Sequence, residues 1–393
     1  MGKFKNKIIT ISGEPVTGKG TNVKRINEKL IERGYKPENI HIVTTGHEFR
    51  RYFELVMELI KNIDNEDILK ELKETEELKA IFGNKEYREK FVNELSKIKG
   101  TLPTDFSIEQ ANNIPELSGI REIVDTIIDE NVKKMGRDIN SVERPDEIWI
   151  IDSRLAFKNI PNSFAVRLTC RPDIAGKRLF EDNSRGKEDN QYKSVEEAVE
   201  QREKRRIGEI KRYKERYNVD LSDENNYDMI IDTSFSSIED ISDAILNCLD
   251  RYQVGRSVPK KWTSPKLLLA AQSVRDTCHI SDIRESIKEN GFNPDFYVDV
   301  VQVKDLLFIN DGHHRNFGAL LEGKTLVPYY VIAKDEEVVP GSRNQARDFI
   351  PYNLTYIYDH FDHAHEVYPN LVERINELNK EREERKERKS KIR

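Results

Sequence analysis

Five short runs of β-branched and aliphatic residues punctuate the chain: Lys7 to Ser12, Ile40 to Gly46, Glu147 to Ser153, Ser163 to Cys170 and Tyr227 to Ser234. Helical spacing lies between them. Val23, Ile26, Leu30 and Ile31 recur three and four residues apart after the first run, and Gly34 follows as a stop signal. Parallel neighbours need a long crossover, usually a helix, so this alternation predicts an α/β domain: a parallel five-stranded sheet with crossover helices. Between residues 60 and 115 the chain is charged and helical with no strand signal, which predicts a helical insertion between the second and third strands. Glu196 to Tyr217 reads as one long charged helix.

After Leu249 the character changes. Gly255, Pro259, Trp262 and Pro265 mark a linker. Beyond it, a strand pair around Phe296 to Val303 and Leu306 to Asn310, then a helix from Asn316 to Leu321, predict a small α+β domain. The expected organisation is a first domain over 1–250 with its insertion at 60–115, a linker over 251–263, a second domain over 264–340, and a charged helical extension over 341–393.

Composition adds limits. With 393 residues, 35% charged and 37% hydrophobic, the chain exceeds one usual core. A net charge of −6 argues against a generally basic nucleic-acid binder, and the dense alternating charge of Lys380 to Arg393 reads as a solvated helix end or a disordered extension. No apolar run is long enough to span a bilayer and no signal-peptide core follows Met1 to Lys7, so the expected location is the cytoplasm, with no membrane partner. Cys170, Cys248 and Cys278 lack metal-ligand spacing. The histidines of His360 to His365 are metal-ligating by type, but no second ligand group has suitable spacing, and they read as a solvated surface.

The chemistry concentrates at Gly13-Glu14-Pro15-Val16-Thr17-Gly18-Lys19-Gly20-Thr21. A strand enters a glycine-bracketed loop that opens a helix, so backbone N–H groups and the positive helix end surround a phosphate: a P-loop. Gly13, Thr17, Gly18, Lys19, Gly20 and Thr21 are the expected ATP-binding residues. Lys19 bridges the β- and γ-phosphates, and Thr21, one position later than usual, is the hydroxyl that reaches magnesium.

Across residues 7 to 248 the chain resembles the cytidylate kinases, of the nucleoside-monophosphate-kinase type, most closely the compact archaeal form. Thr45 to Arg50 is similar to the segment where an arginine meets the acceptor's phosphate, which implies acceptor binding by Arg50, with Arg51 beside it. Ile150 to Ala156 resembles the third-strand end, implying acceptor contact by Arg154 and a place near the magnesium for Asp152. Arg205 to Tyr213, continuing to Asp220, resembles the lid helix, implying that Arg205, Arg206 and Arg212 close over the transferring phosphoryl group. The same stretch also reads as a solvated face paired with Glu203, Glu209 and Glu215. The resemblance implies ATP, Mg2+ and a nucleotide-type acceptor. The insertion at 60–115 is absent from compact members and enlarges the acceptor side, which leaves room for a hydroxymethylated pyrimidine or a nucleotide within nucleic acid. A hydroxyl acceptor needs a base such as Asp152.

In the second domain, Asp311-Gly312-His313-His314-Arg315 lies at a strand-to-helix turn, where backbone N–H groups and Arg315 make a second phosphate site. Residues 264 to 335 resemble the ParB/sulfiredoxin superfamily, which implies nucleotide binding at this turn. Sulfiredoxin chemistry needs a cysteine where His313 stands, and the acidic base of a free-serine-kinase member has only Asp276 as a rough match. Two classes of function stay open: a two-module phosphotransferase, and an ATP-gated binding protein whose ParB-like module contacts DNA.

Overall fold

The computed structural model describes residues 6–61, 79, 83–98, 117–181, 192–272, 278–352 and 367–392. Ten strands among them pair in a mixed, mostly parallel α/β arrangement. The chain divides into two compact units: Met1–Val23, Leu30–Ala165 and Pro172–Asn226 form the first, and Lys24–Lys29, Val166–Arg171 and Tyr227–Arg393 the second.

In the first unit β1 (Lys7–Gly13) runs into a turn that opens α1 (Lys19–Glu32), and β2 (Ile40–Thr44) is followed at once by α2 (Thr45–Lys61). The second strand was expected to reach Gly46. It stops at Thr44, and the Thr45 hydroxyl donates to the Asp152 carbonyl at 3.1 Å as the helix begins. After α3 (Lys85–Ile98) and α4 (Ser118–Ser141) comes β3 (Ile148–Asp152), which pairs in parallel with both earlier strands: Ile150 stands opposite Ile9 on one side and Ile42 on the other. Ile8, Ile9 and Ile11 of β1 and Ile148 to Ile151 of β3 are buried, as strands covered on both faces must be, whereas the β2 residues are only partly covered. Ile8, Val132, Ile139, Trp149, Ile151 and Ile160 form one core cluster. Asn6 finishes α4 by donating to the carbonyls of Ile139 at 2.6 Å and Val142 at 2.9 Å, groups the helix end leaves unpaired.

Of the expected insertion, α3 is described. It packs on α4, burying Phe91 and Leu95 beside Ile120 and Val124. Residues 62–78, 80–82 and 99–116 lie outside the described residues. Past the short α5 (Ala156–Asn159), β4 (Phe164–Thr169) and α6 (Pro172–Glu181), the long charged helix is α7 (Val195–Tyr217). It has almost no apolar seam, so its ends matter. Ser194 caps it by accepting from the Glu197 N–H, Glu196 and Glu197 sit in the first turn, Lys214 and Arg216 in the last, and Asn218 closes it in a left-handed conformation. Each of these contributes up to about 1 kcal/mol.

The second unit carries β5 (Met229–Asp232), α8 (Ile238–Gln253), β6 (Lys261–Thr263), β7 (Leu268–Leu269), α9 (Cys278–Asn290), β8 (Val298–Val303), β9 (Leu306–Asp311), α10 (His313–Leu321) and β10 (Val327–Lys334). Its strands lie in the order β4, β5, β6, β10, β8, β9, β7. The β6–β10 and β8–β9 pairs are antiparallel and the others parallel. The segment 251–263, expected as a linker, thus ends in a three-residue strand bonded on both sides. The helix expected from Asn316 starts three residues earlier, because Gly312 sits left-handed and turns the chain directly into α10.

The C-terminal helix α11 (Leu371–Ile392) is charged as expected, yet it is not merely solvated. Leu371, Ile375, Leu378 and Arg382 recur four, three and four residues apart and are buried, the first three within the core of this unit. Arg382 donates to the carbonyls of Asp348 and Ile350. No helix among the described residues is long and apolar enough to cross a membrane. Ile375→Ala should lower unfolding stability by about 2–5 kcal/mol, as truncation in a packed core does. Glu384→Ala on the exposed face should change it by less than about 0.5 kcal/mol. Denaturant titration of both variants checks the pair.

Candidate functional site

The turn after β1 holds two residues in an unusual backbone conformation. Val16 has φ 63° and Gly18 φ 78°, both left-handed. Glycine takes that conformation freely, but a β-branched valine does so at a cost of about 1–3 kcal/mol, strain that collects at functional loops. Several bonds hold it. The buried Thr17 hydroxyl donates to the Glu14 carbonyl at 2.9 Å, and Asn22 donates to the Gly18 carbonyl through both its backbone and its side-chain nitrogen. Ser12 donates to the carbonyls of Ser153 and Arg154, and the Ser153 N–H bonds back to Ile11, so the ends of β1 and β3 are tied together.

Lys19, at the start of α1, donates to the carbonyls of Gly13 and Glu14, each at 3.0 Å. Burial, aided by nearby Arg154 and Arg205, pushes its ammonium down to about 7, against the pull of Asp152 and Glu209. Burial raises the Asp152 carboxyl, opposed by Lys19, Arg154 and Arg50. Arg154 meets Glu209 of α7 through Nη2, at 2.9 and 3.2 Å from its two oxygens, and Arg205 reaches the same carboxylate at 3.3 Å. Burial works against the Arg154 charge, but Glu209, Tyr213 and Asp152 outweigh it. Among the expected residues, Lys19, Asp152, Arg154 and Arg205 therefore gather at the carboxyl ends of β1 and β3, where open α/β sheets bind ligands, with Arg50 in electrostatic reach.

The others fall elsewhere. Thr21 and Gly20 are exposed on the first turn of α1. Arg51 is exposed on α2 and acts on Tyr52. Arg206 pairs with Glu203 at 2.8 Å and lies 3.9 Å from Glu14. Arg212 lies between two carboxylates, acting on Asp125 of α4 and also on Glu209. Sequence reasoning missed Glu14, Arg202 and Asp125. Arg202, whose side chain is fully buried, bonds the Glu14 carboxylate at 2.8 Å and the Pro15 carbonyl at 3.4 Å, binding the turn to α7. Its position one turn before Arg206 was the only sequence signal.

In the second unit the expected turn borders a cavity of about 520 Å³. Asp311, Gly312, His313, His314 and Arg315 all line it. Gly312 has φ 95°, and a Cβ there would meet the Arg315 guanidinium at 3.2 Å and the Val298 backbone at 3.3 Å, so only glycine fits. Arg315 is held by Asp311 at 2.6 Å and the Tyr297 carbonyl at 2.7 Å. His313 accepts from the Ala271 N–H at 3.3 Å, and burial pushes it down to about 4, so it stays neutral. The His314 Nε2 is buried without a hydrogen-bond partner. Gln272, Asp282, Phe292 and Phe296 complete the walls. They come from separate segments, which is why the sequence did not group them. Asp276 and the His360–His365 group lie outside the described residues.

No family model matches the chain. Over 252 residues, 64% of this chain and 37% of the other, it is 28% identical to an S-adenosylmethionine-dependent nucleotide dehydratase of Lacinutrix mariniflava. Over 127 residues, 32% of this chain and 64% of the other, it is 27% identical to a cytidylate kinase of Methanocella arvoryzae. The chain thus spans just over a third of one curated relative and just under two thirds of the other, and the likeness to cytidylate kinase is distant and partial. Among solved structures, an uncharacterized protein from Eubacterium ventriosum aligns with TM-score 0.34 and 15% identity over 63% of this chain and 99% of that one.

Asp125 generates a test of the electrostatics. Burial pushes its carboxyl up from 3.8 to about 6 despite Arg212 and Arg216. Between those values the folded state holds the proton that the unfolded state has lost, so stability falls as pH rises from about 4 to about 6. Asp125→Asn should remove that fall. Thermal midpoints taken across this window should show the variant gaining on the wild type as pH rises, and parallel curves would contradict the assignment.

Proposed function

We propose that the first unit is an ATP-dependent phosphotransferase of the nucleoside-monophosphate-kinase type, acting on a nucleotide-type acceptor. The convergence of Lys19, Asp152, Arg154 and Arg205 beside the left-handed turn at Val16 and Gly18 carries this reading. The distant likeness to a cytidylate kinase and to a nucleotide dehydratase supports a nucleotide enzyme. In this reading Gly13 to Thr21 is a P-loop: the turn's N–H groups and Lys19 cradle the donor phosphates, Arg50 and Arg154 position the acceptor, and Arg205 neutralises charge on the transferring group. Arg206 joins it only after leaving Glu203, and Arg212 already acts on Glu209 from the next turn of α7.

Magnesium takes hard oxygen ligands and needs few from the protein. No cluster of three or more metal-ligating His, Cys, Asp or Glu side chains occurs among the described residues. The Thr21 hydroxyl and Asp152 carboxylate are donors of the right kind for an ion shared with ATP phosphates, and would hold it. Bound there, the ion supplies neutralisation of phosphate charge. Lys19→Ala should reduce transfer of labelled phosphate from ATP about a hundredfold or more, the scale of losing one group that stabilises the transition state. The acceptor panel is nucleoside monophosphates, free serine and DNA. If the wild type phosphorylates nothing there yet binds DNA in an ATP-dependent way, the ATP-gated binding reading replaces this one.

A second reading concerns the other unit, and the cavity at the Gly312 turn favours it. An anion pocket with aromatic walls suits a nucleotide phosphate, as the likeness to ParB/sulfiredoxin proteins implies. Arg315→Ala should abolish nucleotide binding to this unit and leave Lys19-dependent transfer intact. Calorimetric titration of a Lys19→Ala chain with ATP, ADP and CTP isolates the second site. Unchanged binding in the Arg315→Ala, Lys19→Ala chain would exclude it.

A further inference from the structure

We propose that Glu209 sets the affinity of the acceptor side for phosphate, by competing with it for the guanidinium groups of Arg154 and Arg205. The inference rests on the phosphotransferase reading of the first unit. Glu209 sits one turn beyond Arg205 on α7, and by sequence the two look like an ordinary surface pair. The geometry differs from such pairs. Lys211 and Glu215 on the same helix are 3.9 Å apart with side chains 75% and 66% exposed, whereas the Glu209 side chain is 14% exposed and draws its main partner, Arg154, from the loop after β3.

The charges around it come from three places: Lys19 on α1, Asp152 and Arg154 at the end of β3, and Arg205, Arg212 and Tyr213 on α7. Burial pushes the Glu209 carboxyl up, but Arg154, Arg205, Lys19 and Arg212 together hold it below the usual carboxylate range. The carboxylate is therefore ionised and neutralises cations that would otherwise repel one another. It also takes guanidinium N–H donors of the kind that phosphate oxygens take. A phosphate that engages Arg154 and Arg205 must draw those donors away from Glu209. The same contact that keeps the arginines in place thus weakens every phosphate that uses them, which favours acceptors with additional contacts over free inorganic anion.

The experiment is calorimetric titration with inorganic phosphate of the wild type and of Glu209→Gln, Glu209→Asp and Arg154→Gln, Glu209→Gln chains, with Arg154→Gln as reference. The neutral amide of E209Q should lower the phosphate Kd about tenfold, the factor that about 1.4 kcal/mol represents. E209D, which keeps the charge but is one methylene shorter, should lower it by a smaller factor. The gain should vanish when Arg154→Gln is the background. A purely structural role predicts the opposite sign, because loss of a buried partner loosens the site. Phosphate binding unchanged or weaker in both E209Q and E209D overturns the proposal, as does a gain that persists without Arg154. If E209Q loses its native circular dichroism, E209D alone decides. ATP titration of the wild type is read separately: failure to bind ATP removes the phosphotransferase reading, while ATP binding with no gain in phosphate affinity removes only the role of Glu209.

Discussion

Buried positive charge is the constraint on which the first unit depends. Lys19 at the start of α1, Arg154 after β3 and Arg205 on α7 act within one partly buried cluster, where like charges repel more strongly than in open water. Such a cluster is stable only if anions are built beside it. Asp152 and Glu209 supply them, and the outcome is visible in opposite directions: the lone ammonium of Lys19 is pushed down to about 7, while Arg154, bonded to Glu209, keeps its charge. The backbone follows from the same need. The Ser12 bonds to Ser153 and Arg154 fix the two strand ends, and Arg202 fixes the turn to α7 through Glu14. A cluster of cations this close is held open by the protein's own carboxylates.

Much of this was legible in sequence, for identifiable reasons. All five β-branched runs form strands; four of them are largely buried and read as continuous apolar segments, and β2, only partly covered, is still rich in β-branched residues. The glycine pattern of the first turn marked a strand-to-helix turn that the structure closes with left-handed Val16 and Gly18, and the Asp311–Arg315 segment lines a cavity. What was not legible lacked a local pattern. Strands β6 and β7 have three and two residues, too few for any periodicity to register. The seam of α11 was hidden because Arg382, a charged residue, occupies one of its buried positions. Arg212 was grouped with Arg205 through the lid-helix resemblance; both act on Glu209, but Arg212 also acts on Asp125 of α4, far away in sequence. Glu209 and Glu14 were read as solvated or incidental because ion pairs between distant segments leave no trace in spacing.

The two sites meet the same chemical problem differently. The cavity of the second unit gathers one arginine, already held by Asp311 and a carbonyl, a second carboxylate in Asp282, and a histidine kept neutral by burial. What it offers instead is backbone at a left-handed glycine and enclosed volume. On the proposed reading, an anion bound there would be recognised by dipoles and shape more than by net charge. Its affinity should accordingly depend less on salt than that of the first site, since screening acts chiefly on charge–charge attraction.

On the proposed phosphotransferase reading, the identity of the acceptor turns on Asp152. A phosphate oxygen is already a nucleophile and needs no base, whereas a hydroxyl must lose its proton to one. Burial raises the Asp152 carboxyl above its ordinary value, although Lys19, Arg154 and Arg50 each stabilise the ionised form. A phosphate arriving between Arg50 and Arg154 would neutralise two of those three cations and release Asp152 from their pull. A phosphate-bearing acceptor therefore fits this site in both respects: it takes the arginines as partners, and if its reacting group is a hydroxyl, its own phosphate makes Asp152 more basic. A neutral hydroxyl compound does neither.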